Sequence, residues 1–241
     1  MEQRTNYFIP VSIIIAGALV AGAVIYSRPS TRSGGNSDAI DKGVAQALRG
    51  GPSADGMRPV GADDHIRGNP EARVKIVEYS DLECPFCKRF HATMQRTMEE
   101  YGKSGKVAWI YRHFPLDALH SKARKEAEAS VCAAKLGGNT AFWAYIDRLF
   151  EITPANNGLE ASELPAIAAF VGLDRGAFQT CLDSGEFADR VADDLKDAQA
   201  AGGSGTPYSI AIAANGEKFP INGAQPYEEV KRIIELALQA K

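Results

Sequence analysis

Two cysteines, Cys84 and Cys87, enclose Pro85 and Phe86 in the stretch ECPFCK. Thiols at this spacing can supply half of a metal site, close a permanent disulfide, or exchange electrons with the thiols of another protein. Only in the third use are the two sulfurs the reacting groups. The order of strands and helices around them, and the other cysteines of the chain, discriminate among these uses.

A metal site would need two further ligands. The other two cysteines, Cys132 and Cys181, are far apart in the chain, and neither has a partner at CxxC or HxxxH spacing. The four histidines are scattered along the sequence, so no zinc pattern is complete. We therefore expect no bound metal.

The CxxC pair lies where a predicted strand gives way to a predicted helix. Residues 74–78 (VKIVE) show the β-branched alternation of a strand, and residues 80–83 break it. From Cys84 onward apolar side chains recur every three or four positions as far as Gly102, which is typical of a helix end. We interpret the following side chains as core contacts of this helix: Phe86, Phe90, Met94, Met98 and Tyr101.

This position predicts the chemistry of the sulfurs. At the first turn of a helix, Cys84 faces unpaired N–H groups and the positive end of the dipole, and CxxC thiols so placed have pKa values of about 3.5 to 7.5. We therefore expect Cys84 to be the nucleophile and Cys87, one turn later, to be the buried resolving thiol. Pro85 fits the first helical turn. Phe86 adds no charge, so we expect an oxidant of moderate strength.

The remaining elements complete an α/β order. A second strand over residues 107–114 is followed by a long helical region, two strands joined by an Asn-Gly turn, and a closing helix. The order β-α-β, helices, β-β-α predicts a small α/β sheet with an all-helical insertion. We place the sheet part at about residues 64–117 and 203–241, and the insertion at about residues 118–202.

The stretch VEYSDLECPFCKRF resembles the active-site region of thioredoxin-fold proteins of the DsbA type, and the likeness extends over about residues 64–241. It implies a thioredoxin fold interrupted by a helical domain, in agreement with the element order. It also implies that no cofactor is bound and that a quinone-linked membrane protein reoxidises the site. The Pro-Phe between the cysteines differs from the Pro-His of the best-studied members.

The resemblance also implies roles for residues outside the CxxC. Thr206-Pro207 stands where the family carries a cis-proline facing the cysteines, and an extended substrate would pair with the backbone of Thr206 there. The alternative is an ordinary trans turn. Glu78 stands where the family keeps a buried acid, which would exchange a proton with Cys87. The alternative is an exposed strand carboxylate.

The start of the chain predicts a membrane segment. After a short tail at residues 1–7, residues 8–26 carry no charge and are long enough to span a bilayer. We interpret them as an uncleaved anchor, although Ala21-Gly22-Ala23 leaves a cleaved signal open as the alternative. Residues 27–63 are rich in Gly, Ser, Pro and Asp and predict a flexible linker.

The second pair of cysteines bears on the compartment. An even second pair in an exported protein predicts a structural disulfide between Cys132 and Cys181, and the alternative is two buried free thiols. Such a bridge would not persist in a reducing cytosol, so together with the anchor it predicts a domain on the extracytoplasmic side. The net charge of −3 provides no basic field for nucleic acid.

These observations predict a membrane-tethered thiol:disulfide oxidoreductase that introduces disulfides into exported proteins. One alternative is a reductase or isomerase that uses the same two cysteines from the reduced side. The other is a membrane-attached binding module whose CxxC bridge stays closed. The redox potential of the cysteine couple and the trapping of mixed disulfides discriminate among them.

Overall fold

The computed structural model describes residues 54–240, and in this range a five-stranded sheet carries helices on both faces. The strands are β1 (His65–Gly68), β2 (Val74–Ser80), β3 (Val107–His113), β4 (Tyr208–Ile212) and β5 (Lys218–Asn222). Their order is β1-β3-β2-β4-β5; β2 and β3 are parallel, and the other neighbours are antiparallel. The central strand β2 ends at Ser80, shortly before Cys84.

Six α-helices of the described range accompany the sheet, and the first begins directly after Cys84, as the sequence periodicity predicts. They are α1 (Pro85–Thr97), α2 (Ala123–Ile152), α3 (Glu163–Phe170), α4 (Arg175–Ser184), α5 (Ala188–Ala200) and α6 (Tyr227–Gln239). A single π-helical turn, Met98–Gly102, extends α1 to the predicted end. The long α2 is interrupted by non-helical backbone at Gly137 and Gly138. Asp174 caps α4 by accepting a hydrogen bond from the Ala177 N–H at 2.7 Å.

Each face of the sheet has its own hydrophobic cluster. The larger cluster joins Ile76 and Trp109 of the sheet to Phe90 of α1, Leu149 of α2 and Ile233 of α6. The smaller cluster covers the opposite face. It contains the following buried residues of β2, β3 and α5, among others: Val77, Tyr79, Ala108, Ile110 and Ala198. The segment between β3 and β4 thus contributes to both faces, since α2 to α4 join the larger cluster and α5 joins the smaller one.

Packing begins earlier in the chain than Asp64. Ala54 and Met57 are buried in the smaller cluster, and the Arg58 N–H donates to Asp197 Oδ1 at 2.6 Å. Ala54, Met57 and Arg58, which the composition assigned to the linker, therefore contact the folded domain. The sequence reading also missed β1, which pairs with β3 at the edge of the sheet.

The predicted anchor at residues 8–26 lies outside the described residues. Within residues 54–240, no helix combines the length and apolar character that crossing a membrane requires. The predicted cysteine pair does lie inside this range. The sulfurs of Cys132 on α2 and Cys181 on α4 are 2.00 Å apart and form a disulfide.

The sheet face that carries the smaller hydrophobic cluster also buries a charged cluster around Arg112 of β3. The Arg112 side chain is fully buried, and its Nε and Nη2 donate to the two oxygens of Asp64 at 2.8 Å each. Its Nη1 donates to Asp197 Oδ2 at 2.7 Å, and the Tyr79 hydroxyl donates to the same oxygen at 2.5 Å. Burial would raise the pKa of Asp64, but the hydrogen bond and charge of Arg112 hold it below the ordinary value of 3.8.

Candidate active site

Cys84 stands at the N-terminus of α1, immediately after the loop that leaves β2. It has extended backbone angles (φ −79°, ψ 122°), and Pro85 is the first helical residue. The Cys84 carbonyl accepts the first helical hydrogen bond, from the Lys88 N–H at 3.0 Å. Because no side chain caps this helix end, the Cys84 sulfur faces the positive end of the helix without a competing cap.

The two thiols of the CxxC have opposite acidities. Cys84 is 3% exposed and Cys87 is fully buried, and neither is bonded to another cysteine. The hydrogen bond from the Cys87 thiol lowers the pKa of Cys84 to about 6, against the effect of burial. Burial raises the pKa of Cys87 well above its ordinary value, and the hydrogen bond and charge of Cys84 add to this. At neutral pH the site therefore holds one thiolate, on Cys84, and one thiol, on Cys87.

The loop before β4 faces the Cys84 sulfur. The Thr206–Pro207 peptide bond is cis, and the Thr206 carbonyl lies 3.6 Å from Cys84 Sγ. Thr206 Oγ1 is buried without a hydrogen-bond partner within the described range. Its hydroxyl can donate to Cys84 once that thiol ionises, which is a further cause of the lowered pKa of Cys84. This loop lines a hollow of about 210 Å³ together with Asn222 and Gly223 of the β5 end.

Glu78 lies on β2, on the sheet face that carries α1. It is fully buried, so it is not an exposed strand carboxylate. Its Oε2 accepts a hydrogen bond from the Trp109 indole at 2.9 Å, while its Oε1 has no partner within residues 54–240. Burial raises the pKa of Glu78 to about 7. Proton exchange between Glu78 and Cys87 remains a proposal, to which we return below.

Replacing Glu78 by glutamine should stabilise the protein at alkaline pH. Its pKa is 4.5 in the unfolded chain and about 7 in the folded protein, so across this window the folded state binds a proton that the unfolded state has released. Folding stability therefore falls as the pH rises from 4.5 to 7, by about 3 kcal/mol in total. We expect Glu78→Gln to match the native protein at pH 4 and to exceed it by about 3 kcal/mol at pH 8, measured by urea unfolding.

The matched control is Glu71→Gln, at an exposed turn position. It should stay within about 0.5 kcal/mol of the native protein at both pH values. If the native and Glu78→Gln curves keep the same separation at pH 4 and pH 8, Glu78 does not titrate in this window.

The site contains acids and a histidine that the sequence reading did not single out. Asp81 and Glu83 belong to the loop between β2 and α1, which was interpreted only as a strand break, and both are buried. The Asp81 carboxylate accepts hydrogen bonds from the Leu116 N–H at 2.7 Å and the Glu83 N–H at 2.8 Å. His120 Nδ1 lies 2.9 Å from the same carboxylate. Three buried polar side chains, those of Asp81, Glu83 and His120, thus lie close to the start of α1.

Glu83 also forms a buried acid pair with Glu126 of α2. Burial raises the pKa of Glu126 to about 10, and the hydrogen bond and charge of Glu83 add to this, so Glu126 carries a proton at neutral pH. Glu83 Oε2 accepts the Asn157 N–H, and the Glu83 carbonyl accepts the Asn156 N–H at 2.8 Å. Ala155, Asn156 and Asn157 all have positive φ angles, a conformation rare for non-glycine residues that these contacts hold in place.

Phe86 departs from its predicted position. It belongs to the apolar series of α1, but its side chain is 54% exposed, and the Arg89 guanidinium lies 5.3 Å from its ring. In contrast, Phe90 and Met94 of the same series are fully buried. The first turn of a helix projects beyond the sheet edge, so the helical period that places Phe90 in the core leaves Phe86 at the rim of the site.

Comparisons with known proteins agree with this fold and site. The sequence profile of the family described as Thioredoxin matches residues 61–236. DsbA2 of Pseudomonas aeruginosa is 28% identical, with a TM-score of 0.60 over 74% of this chain and 97% of that one. The α-DsbA1 of Wolbachia pipientis, at 23% identity and a TM-score of 0.65, shows the same fold over 77% and 96% of the two chains. The chain therefore belongs to the thioredoxin family, as a DsbA-like thiol:disulfide oxidoreductase.

A curated relative is much longer than this chain. The Na(+)/H(+) antiporter NhaA 1 of Mycolicibacterium gilvum (strain PYR-GCK) is 33% identical over 165 residues, which are 67% of this chain and 25% of that protein. The chain thus spans about a quarter of the length of the curated relatives it matches.

Proposed function

We propose that the protein is a disulfide oxidase that passes the Cys84–Cys87 disulfide to the thiols of exported proteins. The observation that carries this proposal is the opposite acidity of the two thiols, because the pKa of Cys84 is lowered to about 6 while that of Cys87 is raised. Stabilising the Cys84 thiolate stabilises the reduced form, and this makes the oxidised form a stronger oxidant.

The exchange proceeds in two steps that balance atoms and electrons. A client thiolate attacks Cys84 Sγ of the oxidised site, a mixed disulfide forms, and Cys87 leaves and takes up a proton. A second client thiol loses its proton and attacks the client sulfur of the mixed disulfide, which releases Cys84 as a thiolate. The client loses two electrons, and the two cysteines of the site gain them.

Two neighbouring groups have roles in these steps. The Thr206-Pro207 loop, whose carbonyl lies 3.6 Å from Cys84 Sγ, would hold an extended client segment by strand-to-strand pairing. Glu78 would accept or return the Cys87 proton, and its pKa of about 7 suits a group that must both bind and release a proton near neutral pH.

The cellular arrangement is part of the same proposal. Residues 8–26 would anchor the chain in the membrane, and the region of α2 to α5, predicted as a helical domain over residues 118–202, would stand outside the cytoplasm with the rest. The disulfide between Cys132 and Cys181 supports an oxidising compartment. Turnover needs an oxidant, which we assign to a quinone-linked membrane protein.

Equilibration with glutathione redox buffers tests the direction of exchange. The fraction of reduced Cys84 and Cys87 is measured by acid quenching and alkylation. An oxidase should give a potential of about −200 to −120 mV, between those of glutaredoxin-like and strongly oxidising members of the fold. A potential near that of thioredoxin, about −270 mV, would instead identify a reductase.

A further inference from the structure

Asp81 contacts both cysteines of the site through its backbone. Its N–H donates to Cys87 Sγ at 3.4 Å, and its carbonyl accepts the Cys84 N–H at 3.2 Å. Its carboxylate is buried and faces donors from Leu116, Glu83 and His120. A side chain held by so many partners cannot turn away, so the carboxylate has a fixed position relative to the two sulfurs.

His120 reaches the same place from the segment between β3 and α2. Its ring is 5% exposed and bonds both Asp81, at 2.9 Å, and the Asn156 side chain. Both partners also bond the backbone of Glu83. Asp81 Oδ1 accepts a hydrogen bond from the Glu83 N–H, and the Asn156 N–H donates to the Glu83 carbonyl. Since Glu83 directly precedes Cys84, the imidazole is fixed next to the start of α1.

The charges around His120 favour its protonated form. Burial opposes protonation, but the hydrogen bond and charge of Asp81, and then the charge of Cys84, raise the pKa of His120. The other titratable groups of this cluster are Glu83 and Lys122, whose charges act on Glu126, and Glu126 itself. Burial raises the pKa of Asp81, yet three donors face its oxygens, an arrangement that fits the ionised form.

We propose that Asp81 and His120 form a positioning pair for the CxxC site, in which the protonated imidazole offsets the buried carboxylate and favours the Cys84 thiolate. Neither Pro85 nor Phe86 carries a charge that could favour the Cys84 thiolate. In this proposal the positive charge comes from His120, outside the CxxC motif. The inference rests on the proposed function, because it takes Cys84 as the reacting thiolate.

Alkylation of Cys84 by iodoacetamide as a function of pH tests this proposal in the full chain. Without the imidazole, the Asp81 carboxylate stands uncompensated beside both sulfurs. We expect His120→Gln to raise the pKa of Cys84 by about one unit, so that alkylation at pH 5 becomes about tenfold slower. Asp81→Asn in the same chain removes the carboxylate charge and should restore most of the rate, which a purely structural defect would not allow.

His91→Gln is the matched control. His91 is also buried and also pairs with an aspartate, its Nε2 lying 2.7 Å from Asp147 Oδ1, but that partner is on α2 and does not contact the cysteines. This substitution should leave the pH profile of Cys84 unchanged. An unchanged profile in His120→Gln as well would overturn the proposal.

A second measurement needs no substitution. Because coupling between two sites is reciprocal, His120 should hold its proton more firmly when Cys84 is a thiolate than when Cys84 is in a disulfide. NMR titration of the imidazole in the reduced and oxidised native protein should give a lower pKa in the oxidised form. Equal values would contradict the pair, whereas an ordinary Cys84 pKa in the native protein would contradict the proposed function itself.

Discussion

A Cys87→Ala variant is expected to accumulate as mixed disulfides with client proteins and to lose all catalytic turnover. Cys84 keeps its place at the start of α1, where the Thr206 hydroxyl and backbone N–H groups still favour its thiolate. This thiolate attacks a client disulfide and the other client sulfur leaves as a thiolate, but no Cys87 remains to break the mixed disulfide. With the Cys87 thiol removed, its hydrogen bond to Cys84, the foremost cause of the lowered pKa of Cys84, is lost as well. The measurement is a non-reducing gel of the variant from cells, followed by reduction to release the clients.

The matched control is Cys84→Ala, which leaves only Cys87. Because Cys87 is fully buried and its pKa is raised, this variant should trap no client. The disulfide between Cys132 and Cys181 is intact in both variants, so a difference between them reports on the CxxC alone. If neither variant traps a client, the CxxC serves a passive binding module; trapping through Cys87 would reverse the assigned roles.

The local parts of the site follow from the sequence because they depend on neighbours within one turn. The switch from strand to helix period at Cys84 and the proline after it are short-range signals, and they place Cys84 at the helix start, where the structure has it. The strand β1 was missed for a related reason. It has only four residues, His65–Gly68, and three of them are half-buried, so it shows no clear alternation of apolar and polar side chains.

The rest of the site depends on contacts that no local pattern encodes. Asp81 and His120 meet because the segment after β3 folds back over the end of β2. Glu83 meets Asn157 only through the turn that follows α2. The sequence places these residues in loops, where polar side chains are usually exposed. Their burial follows from the packing of α2 against the start of α1, which becomes visible only in three dimensions.

The buried Arg112 cluster on the opposite face of the sheet should have the largest effect on stability. Arg112→Met fills much of the space but removes the fully buried one of the two arginines that contact both Asp64 and Asp197, and leaves only the partly exposed Arg58. Removing one member of a buried ion pair typically costs about 3 to 5 kcal/mol, and we expect a loss of this size in the free energy of unfolding at pH 7, measured by urea denaturation. The CxxC chemistry, on the other face, should keep its alkylation profile.

The pH dependence separates lost charge pairing from lost packing. Arg112 holds the pKa of Asp64 in the folded protein below the ordinary value of 3.8. The stabilisation from this ion pair is therefore complete above pH 3.8, and it is lost as the pH falls through the pKa of Asp64 in the folded protein. The difference in the free energy of unfolding between the native protein and Arg112→Met should therefore shrink toward pH 3.

Arg124→Ala is the matched control. Arg124 also donates two hydrogen bonds to one carboxylate, that of Asp117, at 2.9 and 2.6 Å, but both side chains are exposed. It should cost less than about 1 kcal/mol; an equally small loss for Arg112→Met would show that the buried network adds nothing to stability.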